Sequence, residues 1–286
     1  GGAQVVVCGR CYDPVAFAAP AIVQGFDPGP AYHMGKLLEC AAIAATPGSG
    51  SDCVMGTLEE DSFVLESLNP ERVFTRASAA AHTLYEKSDP YFLPGPGGAI
   101  DLRETTFEEL GDGRVRVSGT RFVPAPPAVK LEGVRPAGFR TTCIAGVRDP
   151  ILIDQLDAVL QAVRELAEKN GALVEGRDRL HFHVYGRDAV MGEREPQRNA
   201  PAHELGIVID ALAPTQEGAH ALCGFARSRL LHYGYPGRIS TAGNLALLYS
   251  PSDIDCGQTY RFNVHHLMAV EKLAALFPVE YAEVGR

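Results

Sequence analysis

The feature that most constrains the fold is an amphipathic helix predicted over residues 151–169. Six apolar residues keep the helical period and form one stripe, namely Leu152, Leu156, Val159, Leu160, Val163 and Leu166. Such a stripe must be buried against another layer. Strand patterns at 180–186 and 205–212 and a second helix at 215–231 can supply that layer. This order predicts an α/β fold, in which a mixed sheet has flanking helices.

An antiparallel β-hairpin region completes the predicted fold. Residues 107–119 alternate in polarity around an Asp-Gly turn, which is typical of a hairpin. A second hairpin is predicted in residues 129–146, with its turn at Pro136 and Gly138. The tail of the chain is expected to form a strand at 259–266, followed by a helix.

The chain is expected to comprise two segments. Residues 3–10 are predicted to form a buried strand with nothing before it. We therefore expect residues 1–106 to be an α/β segment that completes a domain begun by a missing or separate N-terminal half. Residues 107–286 are expected to be an α+β segment with antiparallel hairpins and two long helices, packed as one unit with the first.

Composition excludes several classes of protein. The chain has 286 residues and a formal net charge of −9, which argues against a nucleic-acid binder because such proteins need a basic face. No apolar run reaches the roughly 18 residues that span a bilayer, so no membrane partner is expected. The seven cysteines are odd in number and scattered. That pattern favours reduced thiols in a cytoplasmic protein over a disulfide framework.

Residues 33–53 are predicted to form a helix that runs into a Gly/Ser loop. His33, Lys36 and Cys40 lie three and four residues apart and can share one side of the helix. Glu39 is rotated about 100° from Cys40. The loop adds polar side chains, those of Ser49, Ser51 and Asp52. Free backbone N–H groups in such a loop can hold a carboxylate or phosphate oxygen.

Two other segments carry charges that suit a binding site. Arg10 and Asp13 follow the predicted first strand, at the end where open α/β sheets place their ligands. Lys87 and Asp89 lie in a segment, 87–98, with three prolines and three glycines, which predicts a stiff loop. We expect this loop to form a wall of the site.

Two metal sites remain open as alternatives. His181 and His183 alternate along a predicted strand and therefore share a face, and His203 with Glu204 could complete a zinc set. A cluster ligated by cysteines is the second alternative, with Cys8, Cys11, Cys40 and Cys53 as ligands. The main hypothesis needs no metal and no other cofactor.

Long motifs along almost the whole chain resemble the acyclic terpene utilisation protein AtuA family. They include GRCYDPVAF, HMGKLLECAA, PGSGSDCVMG, AAHTLYEKSDPYFLPGPGG, GFRTTCIAGVRDPILI, HELGIVID, LLHYGYPGR and STAGNL. The resemblance implies that an earlier α/β segment precedes the part seen here. It also implies a role in the catabolism of branched, terpene-derived carboxylic acids handled as CoA thioesters, with a lyase or hydratase activity. It implies no set of catalytic residues.

The sequence therefore predicts a lyase or hydratase for a branched carboxylic acid or its acyl-CoA thioester. The candidate catalytic residues are His33, Glu39, Cys40 and Asp52, and the candidate substrate-binding residues are Arg10, Asp13, Lys36, Ser49, Ser51, Lys87 and Asp89. One alternative is a non-catalytic subunit or assembly partner of a two-part enzyme, and another is a metal-dependent hydrolase. Expected partners are the small-molecule substrate, a complementary N-terminal subunit and further copies in an oligomer. Convergence of Arg10, Lys36, Asp52 and Lys87 on one site would favour the enzyme.

Overall fold

The computed structural model describes residues 2–239 and 241–285. Ser240, which opens the polar STAGNL motif, lies outside the described residues. The chain divides into two units, Gly1–Leu131 with His266–Arg286, and Glu132–His265. Residues 107–131, which the sequence analysis placed in the second segment, lie with the first unit.

The first unit is built around one buried helix. Its helices are α1 (Val15–Val23), α2 (Pro28–Leu38) and α3 (Arg76–Thr83), with a 3-10 turn at Ala41–Ala44. Nine of the 11 residues of α2 are buried, so this helix is the centre of the unit. The side chain of Asp27 accepts a hydrogen bond from the Gly29 N–H and begins α2.

Two antiparallel sheets surround α2. One has the order β1 (Val54–Leu58), β2 (Ser62–Ser67), β6 (Val115–Ser118), β5 (Thr106–Glu109). The other has the order β3 (Phe92–Gly95), β4 (Gly98–Asp101), β7 (Arg121–Pro124). Met34 and Leu37 pack with Phe63, Leu65 and Val117 in the core between α2 and the first sheet.

The second unit is a sheet with two helices packed against its core. Its strands are β9 (Arg179–Tyr185), β10 (Leu205–Ala213), β11 (Ala246–Leu247) and the larger parts of β8 (Ala128–Val147) and β12 (Asp253–Ala269). The sheet order is β11-β8-β10-β9, and β12 also pairs with β8. The helices are α4 (Pro150–Lys169) and α5 (Gln216–His232). Five of the six residues of the apolar stripe of α4 lie in the core, as the helical period predicts, whereas Leu166 is only partly buried.

The predicted fold class is confirmed, and so are several of its elements. Antiparallel sheets with flanking helices make up the chain, α4 and α5 form where predicted, and β5 and β6 form the hairpin. Across residues 2–239 and 241–285, no helix combines the length and the apolarity that crossing a bilayer requires.

Four predicted elements are wrong. The helix predicted within residues 33–53 is α2, which begins at Pro28 and ends at Leu38. It can begin at Pro28 because a helix tolerates proline in its first turn. The second hairpin is a single strand, β8, which stays extended because β10 pairs along its second half. Residues 92–101 form the β3–β4 hairpin, where a stiff loop was predicted over residues 87–98. The tail helix is reduced to α6 (Leu273–Leu276), after a strand longer than predicted.

The predicted buried strand at residues 3–10 is also wrong. No secondary structure is assigned there, and Val5, Val6 and Val7 are 77%, 76% and 92% exposed. A strand needs a neighbour for its backbone hydrogen bonds, and none of the described residues pairs with this segment. The apolar pattern alone therefore does not produce a strand in this structure.

Candidate functional site

A group of polar side chains assembles where the ends of α2 and α3 meet the turn before α1. Gly35 allows this assembly, since a Cβ there would lie 2.5 Å from the Pro14 carbonyl oxygen. Only glycine lets the turn approach α2 so closely. We call the group the lysine cluster; it consists of Tyr12, Lys36, Glu39, Cys40, His82, Tyr85, Glu86 and Lys87.

Lys36 is a buried, paired cation. Its side chain is 2% exposed, and its ammonium donates a hydrogen bond to Glu39 Oε1 at 2.6 Å. The same nitrogen lies 5.1 Å from the centre of the Tyr85 ring, whose face attracts a cation. Lys36 occupies the last turn of α2, where the helix dipole favours positive charge. These contacts hold the Lys36 charge in one place.

Lys87 is a partly exposed amine with a different set of contacts. Its nitrogen donates a hydrogen bond to the Tyr12 hydroxyl at 3.2 Å and lies 5.0 Å from the centre of the Tyr12 ring. Within the described ranges, no carboxylate forms an ion pair with it. Burial, and next the charge of Lys36, lower the pKa of Lys87, while the carboxylates of Glu39 and Glu86 act in the opposite direction.

Tyr12 provides a phenol that stays protonated at neutral pH. Burial raises the pKa of Tyr12 to about 12, and the nearby charges of Glu39 and Tyr32 add to the effect. When Lys87 donates to the Tyr12 oxygen, the phenolic hydrogen remains free for another acceptor. Tyr12 can therefore donate a hydrogen bond to a bound oxygen atom.

Cys40 and His82 complete the cluster. The pKa of the Cys40 thiol is raised, first by burial and then by the charge of Glu39, so Cys40 is a thiol and not a thiolate nucleophile at neutral pH. His82 is 8% exposed and stacks on Tyr85 with 5.4 Å between ring centres. Burial and the charge of Lys36 lower the pKa of His82. Its Nε2 atom is buried and has no hydrogen-bond partner within the described residues.

His33 lies in the interior, where its contacts are structural. It is 0% exposed, its Nδ1 is 2.7 Å from the Thr120 hydroxyl oxygen, and its Nε2 is 2.8 Å from that of Thr83. Thr83 donates to the Ala79 carbonyl oxygen, so we assign the ring hydrogen to Nε2. Burial lowers the pKa of His33 to about 3. A neutral, fully paired imidazole is suited to packing rather than to proton transfer.

The Gly/Ser loop satisfies its own polar groups. Asp52 accepts hydrogen bonds from the Arg72 guanidinium and from Asn69 Nδ2, and these two partners lower the pKa of Asp52. The Ser49 and Ser51 hydroxyl oxygens are 3.1 Å apart at the surface. An Asp52 carboxylate that is held ionised by an arginine is a weak general base. Within residues 2–239 and 241–285, no hydrogen bond or ion pair joins the side chains of Ser49, Ser51 or Asp52 to a side chain of the lysine cluster.

The remaining predicted residues lie at the surface. Arg10 is exposed, and so is Asp13, whose carboxylate contributes to the raised pKa of Cys40 and is therefore close to the cluster. Asp89 accepts hydrogen bonds from the backbone N–H groups of Tyr91 and Phe92 at 2.8 and 3.0 Å, which makes it a turn residue.

The structure thus brings together four of the predicted residues from two distant segments. They are Lys36, Glu39, Cys40 and Lys87. The sequence did not indicate Tyr12, His82, Tyr85 or Glu86. Tyr12 lies in the same turn as Arg10 and Asp13, and the other three precede Lys87 by at most five positions, so closeness in the sequence was the available signal.

The proposed metal ligands are not assembled. His181 and His183 do share a face, with 4.4 Å between ring centres, and His183 Nε2 lies 3.6 Å from Asp210 Oδ2. His203 is exposed and close to Glu204. Over the part of the chain that the structure describes, no three His, Cys, Asp or Glu side chains are grouped so that they could hold a metal ion. This applies to both the histidine set and the cysteine set.

A cavity of about 630 Å³ lies in the second unit, between α5 and the segment before β12. Arg227 on its wall is paired with Asp253 through hydrogen bonds of 2.7 and 2.9 Å. His220 lies 3.0 Å from Asp255. Because Arg227 and His220 each lie beside a carboxylate of the chain, these pairs give the cavity no preference for a ligand of either charge.

Comparison with known families decides the relationship. The family model described as Acyclic terpene utilisation family protein AtuA matches residues 61–245. The chain belongs to the AtuA family. Searches of curated proteins and of solved structures find no match. The AtuA match includes His82, Tyr85 and Lys87, whereas α2 and Tyr12 precede it. As an AtuA protein, the chain is linked to acyclic terpene utilisation, which agrees with the predicted role in terpenoid catabolism.

Proposed function

We propose that this AtuA protein is a lyase or hydratase that acts on a branched carboxylic acid or its acyl-CoA thioester. Such a reaction removes or adds a proton next to a carbonyl group and passes through an enolate-like state. It requires a base of suitable pKa and donors for the developing oxygen charge. The lysine cluster contains both kinds of group.

One observation carries the proposal. Lys87 and Tyr12, 75 positions apart in the sequence, come together with 3.2 Å between the amine nitrogen and the phenol oxygen, and the nearby charge of Lys36 lowers the pKa of Lys87. The buried Lys36 is neutralised by Glu39, whereas the reachable Lys87 contacts only a phenol and its ring among the described residues. An amine of lowered pKa beside a protonated phenol is a suitable acid–base pair.

Each residue then has a distinct role. Lys87 accepts the proton from the carbon next to the carbonyl group, and Tyr12 donates a hydrogen bond to the carbonyl oxygen. The bond from the neighbouring carbon to its hydroxyl group then breaks, and that hydroxyl takes the proton from Lys87 and leaves as water; hydration is the reverse. Lys36 supplies a fixed positive charge that favours the developing negative charge, and Glu39 holds Lys36 in place. Cys40 lines the cluster as a neutral thiol.

The test is turnover of a panel of branched acyl-CoAs and free acids. Lys87→Met should lower the rate on the order of 10²–10⁴-fold, the usual contribution of a general base. Tyr12→Phe should lower it on the order of 10²–10³-fold, the usual effect of losing one oxyanion donor. Lys169→Met is the matched control, since Lys169 is exposed at the end of α4. An active Lys87→Met protein would refute the assignment of the base.

A second candidate function rests on a different observation. The valines at 5–7 are exposed one after another, which suits a segment that adds to a sheet of another polypeptide. In that case the chain is a subunit of a two-part enzyme, with a complementary N-terminal subunit as its partner. Turnover of the panel by this chain alone would argue against the subunit role. Turnover only after addition of an N-terminal AtuA polypeptide would support it.

A further inference from the structure

We infer that Lys87 is a nucleophile that forms a covalent imine with the keto carbon of a branched oxo acid or its CoA thioester. The inference rests on the proposed function and deepens it. It narrows the substrate to compounds that carry a ketone in addition to the carboxylate or thioester. Lys87 then bonds to the substrate in place of the proton abstraction assigned to it above, and Lys87→Met is expected to lose turnover in either role.

Accessibility distinguishes the two lysines. The Lys36 side chain is 2% exposed and its nitrogen is bonded to Glu39 at 2.6 Å, so it cannot approach a carbonyl carbon without breaking a buried ion pair. Lys87 is only partly buried, and its one hydrogen bond among the described residues is a 3.2 Å contact with the Tyr12 hydroxyl. Lys87 can exchange that contact for a substrate.

The surroundings of Lys87 favour the neutral amine that imine formation needs. Four groups face it: the ammonium of Lys36, the carboxylates of Glu39 and Glu86, and the phenol of Tyr12. Partial burial and the neighbouring cation lower the pKa of Lys87 despite the two carboxylates. A second cation beside a half-buried lysine is an established way to activate its amine.

Tyr12 is placed to move the protons of this reaction. The Lys87 nitrogen attacks the carbonyl carbon, a C–N bond forms, and a proton passes from the nitrogen to the carbonyl oxygen to give a neutral carbinolamine. The hydroxyl group then takes one further proton and leaves as water, and an iminium remains. The Tyr12 phenol, 3.2 Å from the nitrogen, can relay the first proton and donate the second, and it regains its own proton from solvent. No oxidant or reductant is consumed.

A buried atom without a partner supports a ligand at this place. His82 is 8% exposed, and its Nε2 atom has no hydrogen-bond partner among the described residues. It lies close to Lys36 and Glu86, because their charges affect its pKa. A buried polar atom without a partner is rare, and either an ordered water molecule or a bound ligand can supply the missing hydrogen bond.

Borohydride trapping tests the inference on the full chain. The protein is incubated with 3-methyl-2-oxobutanoate or 4-methyl-2-oxopentanoate, and sodium borohydride reduces any imine to a stable secondary amine. The expected mass gain equals the oxo acid less one oxygen atom. The chain has only five lysines, namely Lys36, Lys87, Lys130, Lys169 and Lys272, so peptide mapping locates the adduct directly.

The expected result is an adduct on Lys87 that is lost in Lys87→Arg and kept in Lys169→Arg. The absence of an adduct with both oxo acids, a similar yield at the other lysines, or an unchanged adduct in Lys87→Arg would each overturn the inference. Turnover of the acyl-CoA panel without any adduct would overturn the imine and leave the lyase in place. An adduct at Lys87 without turnover would support the imine and count against the lyase.

Discussion

Glu39→Gln is the most informative single substitution, because it removes the counter-charge of a lysine that has almost no access to water. The Lys36 and Glu39 side chains are 2% and 12% exposed, and their atoms are 2.6 Å apart. Removing one partner of such a pair leaves an uncompensated buried charge, and the loss is typically about 3–5 kcal/mol of folding free energy. That corresponds to roughly two to four powers of ten in the unfolding equilibrium.

Urea unfolding followed by far-UV circular dichroism measures this loss, and it suits a chain that has no tryptophan because its signal comes from the backbone. Asp112→Asn is the matched control. It breaks the ion pair between Asp112 and Arg114, whose side chains are 49% and 44% exposed. A much smaller loss of folding free energy is therefore expected. If Glu39→Gln is no less stable than Asp112→Asn, the description of Lys36 as a buried, paired cation is refuted.

Three further predictions concern other parts of the chain. Burial lowers the pKa of His33 from 6.5 to about 3. As the pH falls, the unfolded chain therefore binds a proton at His33 before the native chain does. Stability should therefore fall as the pH drops from about 6.5 towards 3. The urea midpoint measured across this pH range reports the fall, and the control His203→Gln should show the same dependence on pH as the native chain. A midpoint of the native chain that does not change with pH would contradict the prediction. Gly138→Ala should destabilise the second unit by roughly 2 kcal/mol or more. Its φ is +104°, and its new Cβ would lie 2.5 Å from a neighbouring carbonyl oxygen. Gly206→Ala, with its nearest contact at 3.6 Å, should be tolerated in the same thermal melts. Finally, the lowered pKa of Lys87 predicts that acetic anhydride acetylates Lys87 at lower pH than the three lysines outside the cluster. Mass spectrometry after competitive labelling measures the extent of acetylation of each lysine against pH, and the same pH dependence at all four lysines would contradict the prediction.

Local patterns predicted the elements whose signals lie within a few residues of one another. The apolar stripe of α4 and the Asp-Gly turn between β5 and β6 needed no information from distant residues. Long-range pairing overrode local signals elsewhere. Pro136 and Gly138 indicate a turn, yet β8 stays extended because β10 pairs with its residues 139–147. Val5–Val7 has the pattern of a strand and lacks a neighbour among the described residues.

The candidate site divides in the same way. The sequence indicated which side chains carry reactive groups, and Lys36, Glu39, Cys40 and Lys87 were among them. It did not indicate that Tyr12 and His82 join them, or that His33 is enclosed by Thr83 and Thr120.

Taken alone, the sequence determined the fold class, the family and the reactive residue types, since periodicity and motifs are carried by residues close in the chain. Only the tertiary structure decided which lysine is buried and which is reachable. Burial and charge act through space, so the pKa of Lys87 depends on Lys36, a residue 51 positions away in the sequence.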